Sequence, residues 1–182
     1  MEQYKSDIQE VLYDKATIAQ RVAELGAVIS RDYQGKEVVL VAVLRGSFVF
    51  LADLCRHVDL DCTVEFMSVS SYGSGTSSTG QVQITKDLSC DISGKHILLI
   101  EDIMDSGNTL SYLFNMLKQR EPASLQLCAL LDNPARRQQN VEVSYCGFQI
   151  PNAFVVGYGL DYAQRYRNLP YIGILKPEVY EK

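Results

Sequence analysis

Apolar residues first recur along this chain at strand spacing and then at helix spacing. Residues 8–13 suit a short strand. After Asp14, whose side chain suits an N-cap, Ile18, Val22, Leu25 and Ile29 mark one face of a helix that ends before Gly35. Residues 38–44 are apolar without alternation, as expected for a strand covered on both faces in a parallel sheet. A helix over 48–58 and a strand over 63–69 follow. Residues 70–80 are almost all Ser, Gly and Thr, a composition that builds no core. The pattern then predicts strands at 82–88, 96–100, 125–131, 154–156 and 171–175. Between the second and third of these, Leu110, Leu113, Phe114 and Leu117 fall on one helical face. Lys118 and Arg120 are expected in the last turn of that helix, and Pro122 stops it. Strands alternating with helices predict an α/β open sheet, mostly parallel, flanked by helices. Such sheets hold ligands beyond the carboxyl ends of their strands.

Polar residues cluster at those ends. The strand over 96–100 runs into Glu101-Asp102-Ile103-Met104-Asp105-Ser106-Gly107-Asn108-Thr109 and then into a helix. A strand feeding a helix through a glycine turn offers free backbone N–H groups at the positive helix end, an anion site. Ser106 and Thr109 add hydroxyls. Acids beside a phosphate would repel it, unless they bind hydroxyls or Mg²⁺, or one of them moves a proton; the other reading is a solvated acidic turn capping the helix. Leu44-Arg45-Gly46-Ser47 places a cation and a glycine after another strand.

Charge and length set the frame. The 182 residues suit one domain, with no linker or internal repeat, and a net charge of −5 argues against a nucleic-acid surface. The five cysteines are odd in number, with no C-x-x-C pair, and suit core thiols in a reducing cytosol. No stretch has the character of a signal peptide, and no apolar run approaches the ~20 residues of a membrane span. The sequence therefore predicts a cytoplasmic protein with neither nucleic-acid nor membrane partners.

Glu101-Asp102-x-x-Asp105-Ser106-Gly107-x-Thr109 after an apolar strand resembles the phosphoribosyl-pyrophosphate motif of the type I phosphoribosyltransferases, and further matches along nearly the whole chain narrow the resemblance to the hypoxanthine-guanine branch. It implies the type I fold with a small hood over the site, Mg²⁺ as cofactor, and a homo-oligomer (dimer or tetramer). The reaction it implies transfers the 5-phosphoribosyl group from phosphoribosyl pyrophosphate to N9 of hypoxanthine or guanine and releases pyrophosphate. Other purines (xanthine or adenine) and a non-catalytic sensor of phosphoribosyl pyrophosphate are the alternatives. By resemblance, residues 105–109 hold the 5′-phosphate, with Asn108 where many members carry Lys, and Asp105 transfers a proton at N7. Glu101 and Asp102 hold ribose hydroxyls and the metal shell. Arg45 and Gly46 form the pyrophosphate loop, whose preceding peptide can be cis in the family. Ser71 and Tyr72 match a Ser-Tyr pair in a loop, here 70–80, that closes over the reaction centre. In the stretch 150–162, Phe154 stacks on the purine, the backbone of Val155 reads its edge, and Asp161 helps hold a second Mg²⁺. Arg167 reaches the pyrophosphate. In Leu130-Leu131-Asp132-Asn133-Pro134-Ala135-Arg136-Arg137, Asn133 stands where the family places a Lys on the purine O6; the other reading is that Asn133 only shapes the turn before Pro134, with water or a neighbouring Arg on O6. A neutral amide there implies weaker base binding or looser discrimination.

Overall fold

The computed structural model describes residues 4, 6–71 and 82–181, with Ser71 described by its backbone alone. Tyr72 and most of the segment expected to close over the site lie outside the described residues. In chain order the elements are β1 (Ile8–Tyr13), α1 (Lys15–Asp32), β2 (Val38–Leu44), α2 (Phe48–Leu54), β3 (Cys62–Ser71), β4 (Val82–Lys86) and β5 (His96–Met104). Then come α3 (Asn108–Lys118), β6 (Ser124–Asp132), a 3₁₀ turn (Pro134–Arg136), β7 (Tyr145–Gln149), β8 (Val155–Val156), β9 (Ile172–Leu175) and α4 (Pro177–Tyr180).

Six strands form the main sheet in the order β4-β3-β2-β5-β6-β7. All neighbours pair in parallel except β3 and β4. The unbroken apolar strands are explained by two cores. Val38, Leu40, Ala42, Leu98, Ile100 and Leu130 point to the face covered by α1 and α2. Val39, Val41, Val43, Ile97, Leu99 and Ala129 point to the face covered by α3. The apolar runs of β2, β5 and β6 thus alternate between two dry surfaces, and these runs leave no position for a polar residue.

A second sheet, β1-β9-β8, is antiparallel. It joins the ends of the chain, and its core holds Val156, Tyr166, Leu169 and Leu175. The Tyr166 hydroxyl donates to Asp7 at 2.7 Å, and Tyr13 stacks on Phe148 with centroids 4.0 Å apart. α1 is fixed as its sequence predicts: the Asp14 carboxylate accepts from the Thr17 N–H at 2.8 Å.

Several boundaries differ from expectation. β5 continues through the acids to Met104, because Glu101, Ile103 and Met104 stay paired with Ala129, Leu131 and Asp132 of β6. α2 stops at Leu54 rather than 58: there the chain must cross α1 at Gly26, where a Cβ would stand 2.5 Å from the Cβ of His57. Arg120 lies beyond α3, in a turn closed by Glu121 at φ +54°, and pairs with Asp87 at 2.7 Å. β7 and α4 were not expected: residues 145–149 include a glycine and no β-branched side chain, and α4 is a single turn begun by Pro177.

Candidate active site

The main sheet has its switch point between β2 and β5. From β2 the chain moves to β3 on one side, and returns to β5 on the other. Open parallel sheets bind ligands at the crevice such a reversal creates. Its walls here are Arg45 and Gly46 after β2 and the acids at the end of β5.

The Leu44–Arg45 peptide is cis. Gly46 lies directly against the Asp102 carboxylate; a Cβ on it would fall 1.6 Å from Oδ2. Only glycine allows that approach. Asp102 is buried, and its Oδ1 accepts from the Ile103 N–H at 2.8 Å. Burial pushes its carboxyl up to about 6, although the N–H of Ile103 and the Arg167 guanidinium pull the other way. The Glu101 carboxyl is raised well above its ordinary value, first by burial and then by the charge of Asp102, and its Oε2 is buried without a partner. Two adjacent buried acids with an unpaired oxygen suit a ligand that brings hydroxyl donors or a cation.

The turn after β5 is wrapped from outside. The Ser106 carbonyl accepts from the N–H groups of Gln138 (2.9 Å) and Gln139 (3.1 Å). Gly107 has φ +82°, and a Cβ there would meet Met104 Cε at 2.9 Å. α3 then starts at Asn108, whose Nδ2 donates to Gln138 Oε1 at 3.1 Å, so its side chain faces sideways rather than into the turn. A pocket of about 100 Å³ is lined by Glu101, Ile103, Asp105, Ser106, Gly107, Thr109 and Leu110.

A second pocket, about 180 Å³, adjoins it and shares Ile103 and Asp105. It is lined further by Asn133, Arg136, Ala153, Phe154, Val155, Leu160 and Asp161. Asp105 sits where the two meet. Its Oδ2 is 3.2 Å from Arg136 Nη1, and its Oδ1 is buried and unpaired. Phe154 is backed by Tyr180 of α4, stacked at 4.8 Å, and by Tyr162 edge-on at 5.7 Å.

The family model for the phosphoribosyl transferase domain matches residues 9–163. The chain is 58% identical over 166 residues to the hypoxanthine phosphoribosyltransferase of Escherichia coli, covering 90% of this chain and 93% of that one. It is 50% identical to the hypoxanthine-guanine phosphoribosyltransferase of Bacillus subtilis, covering 97% and 98%. A crystal structure of a Staphylococcus aureus hypoxanthine phosphoribosyltransferase superposes with a TM-score of 0.93 at 50% identity, covering 97% and 96%. The chain also matches the bifunctional TilS/HprT protein of Listeria monocytogenes at 50% identity, spanning 28% of that protein's length. The chain belongs to the phosphoribosyltransferase family.

For a phosphoribosyltransferase, the sequence-expected residues fall into three groups. Glu101, Asp102, Asp105, Ser106, Gly107 and Thr109 line or border one crevice, and Asn133, Phe154, Val155 and Asp161 line its extension. Arg45 and Arg167 converge from opposite sides on one atom: Gln164 Oε1 accepts from Arg45 Nη1 at 3.0 Å and from Arg167 Nη2 at 3.2 Å. Asp161, expected at a metal, has Oδ1 2.7 Å from Arg167 Nη2, while Oδ2 accepts from the Gln164 N–H at 2.8 Å. Both its oxygens are therefore engaged within the protein. Among the described residues no three His, Cys, Asp or Glu side chains are grouped to hold a metal. The third group, Ser71 and Tyr72, is beyond what the described side chains address.

Gln164 and Tyr180 were missed from sequence, as was the contact of Arg136 with Asp105. Gln164 has no local signal, because its partners lie 119 positions back and 3 positions on. Arg136 stood in the segment read for Asn133, but only the 3₁₀ turn over Pro134–Arg136 aims it at Asp105.

Proposed function

We propose that this protein is a Mg²⁺-dependent purine-salvage enzyme that transfers the 5-phosphoribosyl group from phosphoribosyl pyrophosphate to N9 of hypoxanthine or guanine, giving IMP or GMP and pyrophosphate. The observation that carries this reading is the meeting of two pockets at Asp105: one ends in buried acids and a helix N-terminal turn, the other in an aromatic wall. The turn over 105–109 takes the 5′-phosphate on backbone N–H groups and the hydroxyls of Ser106 and Thr109. Glu101 and Asp102 accept from the ribose hydroxyls. Phe154, stiffened by Tyr180 and Tyr162, stacks on the purine, and the Val155 backbone meets its edge. Asp105 exchanges a proton with N7 of the base. Arg45 and Arg167 leave Gln164 for the departing pyrophosphate, whose growing charge they stabilise.

The buried acid pair fits Mg²⁺, which takes few carboxylates and keeps water and substrate oxygens. Glu101 and Asp102 would border it, and Asp161 would join only on release from Arg167. Bound there, the ion would neutralise charge on the pyrophosphate. The chain acts as one catalytic unit in the cytoplasm, as a dimer or tetramer, and segment 70–80 shields the sugar from water when substrate binds. No helix is long and apolar enough to cross a membrane among the described residues.

A spectrophotometric screen of hypoxanthine, guanine, xanthine and adenine, each with and without Mg²⁺, tests the reading. Hypoxanthine and guanine should turn over only with Mg²⁺. Tight binding of phosphoribosyl pyrophosphate with no turnover of any purine would leave a sensor instead. Amide exchange in 70–80 should slow when substrate analogue, pyrophosphate and Mg²⁺ are added; unchanged exchange would remove the segment from the reaction.

A further inference from the structure

Asn133 is 1% exposed, and neither Oδ1 nor Nδ2 has a hydrogen-bond partner in the protein. No other side chain among the described residues leaves two buried polar atoms unpaired. Its backbone is pinned, the N–H donating to Met104 O at 2.9 Å and the carbonyl accepting from Arg136 N at 3.2 Å. The amide lines the pocket that holds Phe154, Val155 and Asp105. Buried donors and acceptors without partners are costly, so the site is complete only when an occupant supplies an acceptor and a donor side by side.

We propose that Asn133 reads the six-position edge of the purine through both amide atoms, and that this contact accepts 6-aminopurines as well as 6-oxopurines. This rests on the phosphoribosyltransferase reading of the same site. With a 6-oxopurine, Nδ2 donates to O6 and Oδ1 accepts from N1–H. Turned by 180° about its last torsion, the same amide accepts from a 6-amino group and donates to N1. The two orientations fill the same volume and differ only in the order of donor and acceptor. Selectivity between the two bases therefore has to come from elsewhere in the pocket. Arg136, the cation lining the same pocket, is half exposed and tied to Asp105 at 3.2 Å. A guanidinium only donates, so it can meet O6 but not a 6-amino group.

The test is kcat/KM for hypoxanthine and for adenine, with phosphoribosyl pyrophosphate and Mg²⁺, in wild type, Asn133→Lys, Asn133→Leu and Arg136→Gln. An ammonium only donates, so Asn133→Lys should raise the hypoxanthine-to-adenine ratio about tenfold, the equivalent of ~1.4 kcal/mol. Asn133→Leu should raise KM for both bases about tenfold and leave KM for phosphoribosyl pyrophosphate within about twofold. It also keeps the question open should a buried ammonium unfold the Lys variant. Arg136→Gln removes a donor that can meet only O6, so the ratio should fall there, opposite in direction to Asn133→Lys. The proposal is overturned if the ratio in Asn133→Lys and the base KM values in Asn133→Leu stay within about twofold of wild type. It is equally overturned if the ratio shifts in Arg136→Gln and in neither Asn133 variant. Failure of the wild type to turn over any purine would sink the enzymatic reading, a result distinct from both.

Discussion

At the scale of single residues, the site is organised by close approach. Gly46 touches the carboxylate of Asp102, and Asp105 lies between a phosphate-sized and a base-sized pocket. Gly46→Ala would drive a methyl into Oδ2, so either the loop after β2 or the acid at the end of β5 must move. Misplacement on the order of 1 Å costs ~10²-fold in rate, so kcat/KM should fall by about that factor while the purified variant remains folded. Near-normal kinetics would show that the loop relaxes freely. Asp105→Asn keeps the shape and the Arg136 contact but cannot exchange the proton. General acid–base groups contribute ~10²- to 10⁴-fold, and kcat should fall within that range at unchanged circular dichroism. Rates within about threefold of wild type would assign the proton to another group.

At the scale of elements, the proposed function puts the phosphate on the turn between β5 and α3. Gly107 is the one residue there with positive φ, and its neighbours Met104 and Gln139 crowd the place a side chain would take. An L-residue in that conformation costs ~1–2 kcal/mol. Gly107→Ala should therefore lower the melting temperature by a few degrees, at roughly 2–4 °C per kcal/mol for a chain of this size. It should also raise KM for phosphoribosyl pyrophosphate much more than KM for the purine; equal rises would place the phosphate elsewhere. This turn was legible in the sequence because strand, acids, glycine and helix follow one another without a gap. So were β2, β5 and β6 at the centre of the main sheet, whose apolar runs reflect two covered faces. What was not legible depends on distant partners. β5 extends past its apolar run because β6 holds it, and α2 ends early because α1 blocks its path. The engagement of Asp161 by Arg167, and of both arginines by Gln164, brings together residues whose spacing carries no pattern.

At the scale of the whole molecule, the acids at the end of β5 are a burden on the empty fold. Asp102 is raised from an ordinary value of 3.8 to about 6 by burial, and Glu101 is raised in the same direction. The folded state thus holds a proton on Asp102 between about pH 4 and pH 6 that the unfolded chain has already released. Stability then falls as pH rises through that window. By pH 8 the ionised, buried carboxylate costs on the order of 3 kcal/mol. Exposed acids with lowered values, Asp14 at its helix cap and Asp87 beside Arg120, act with the opposite sign, being stabilising at high pH and losing that on acidification. Total stability mixes the two, so the contribution of Asp102 has to be isolated by difference. Asp102→Asn removes the ionisable group and keeps an oxygen for the Ile103 N–H. In EDTA, without substrate, the variant should unfold at higher urea than wild type at pH 8, and the gap should close toward pH 4. The same variant should bind phosphoribosyl pyrophosphate more weakly at pH 8, because in the proposed function the charge that burdens the empty fold is the one offered to sugar and metal. A gap of the same size at both pH values would mean that Asp102 is not held protonated by burial, and the site would then be wetter than its walls imply.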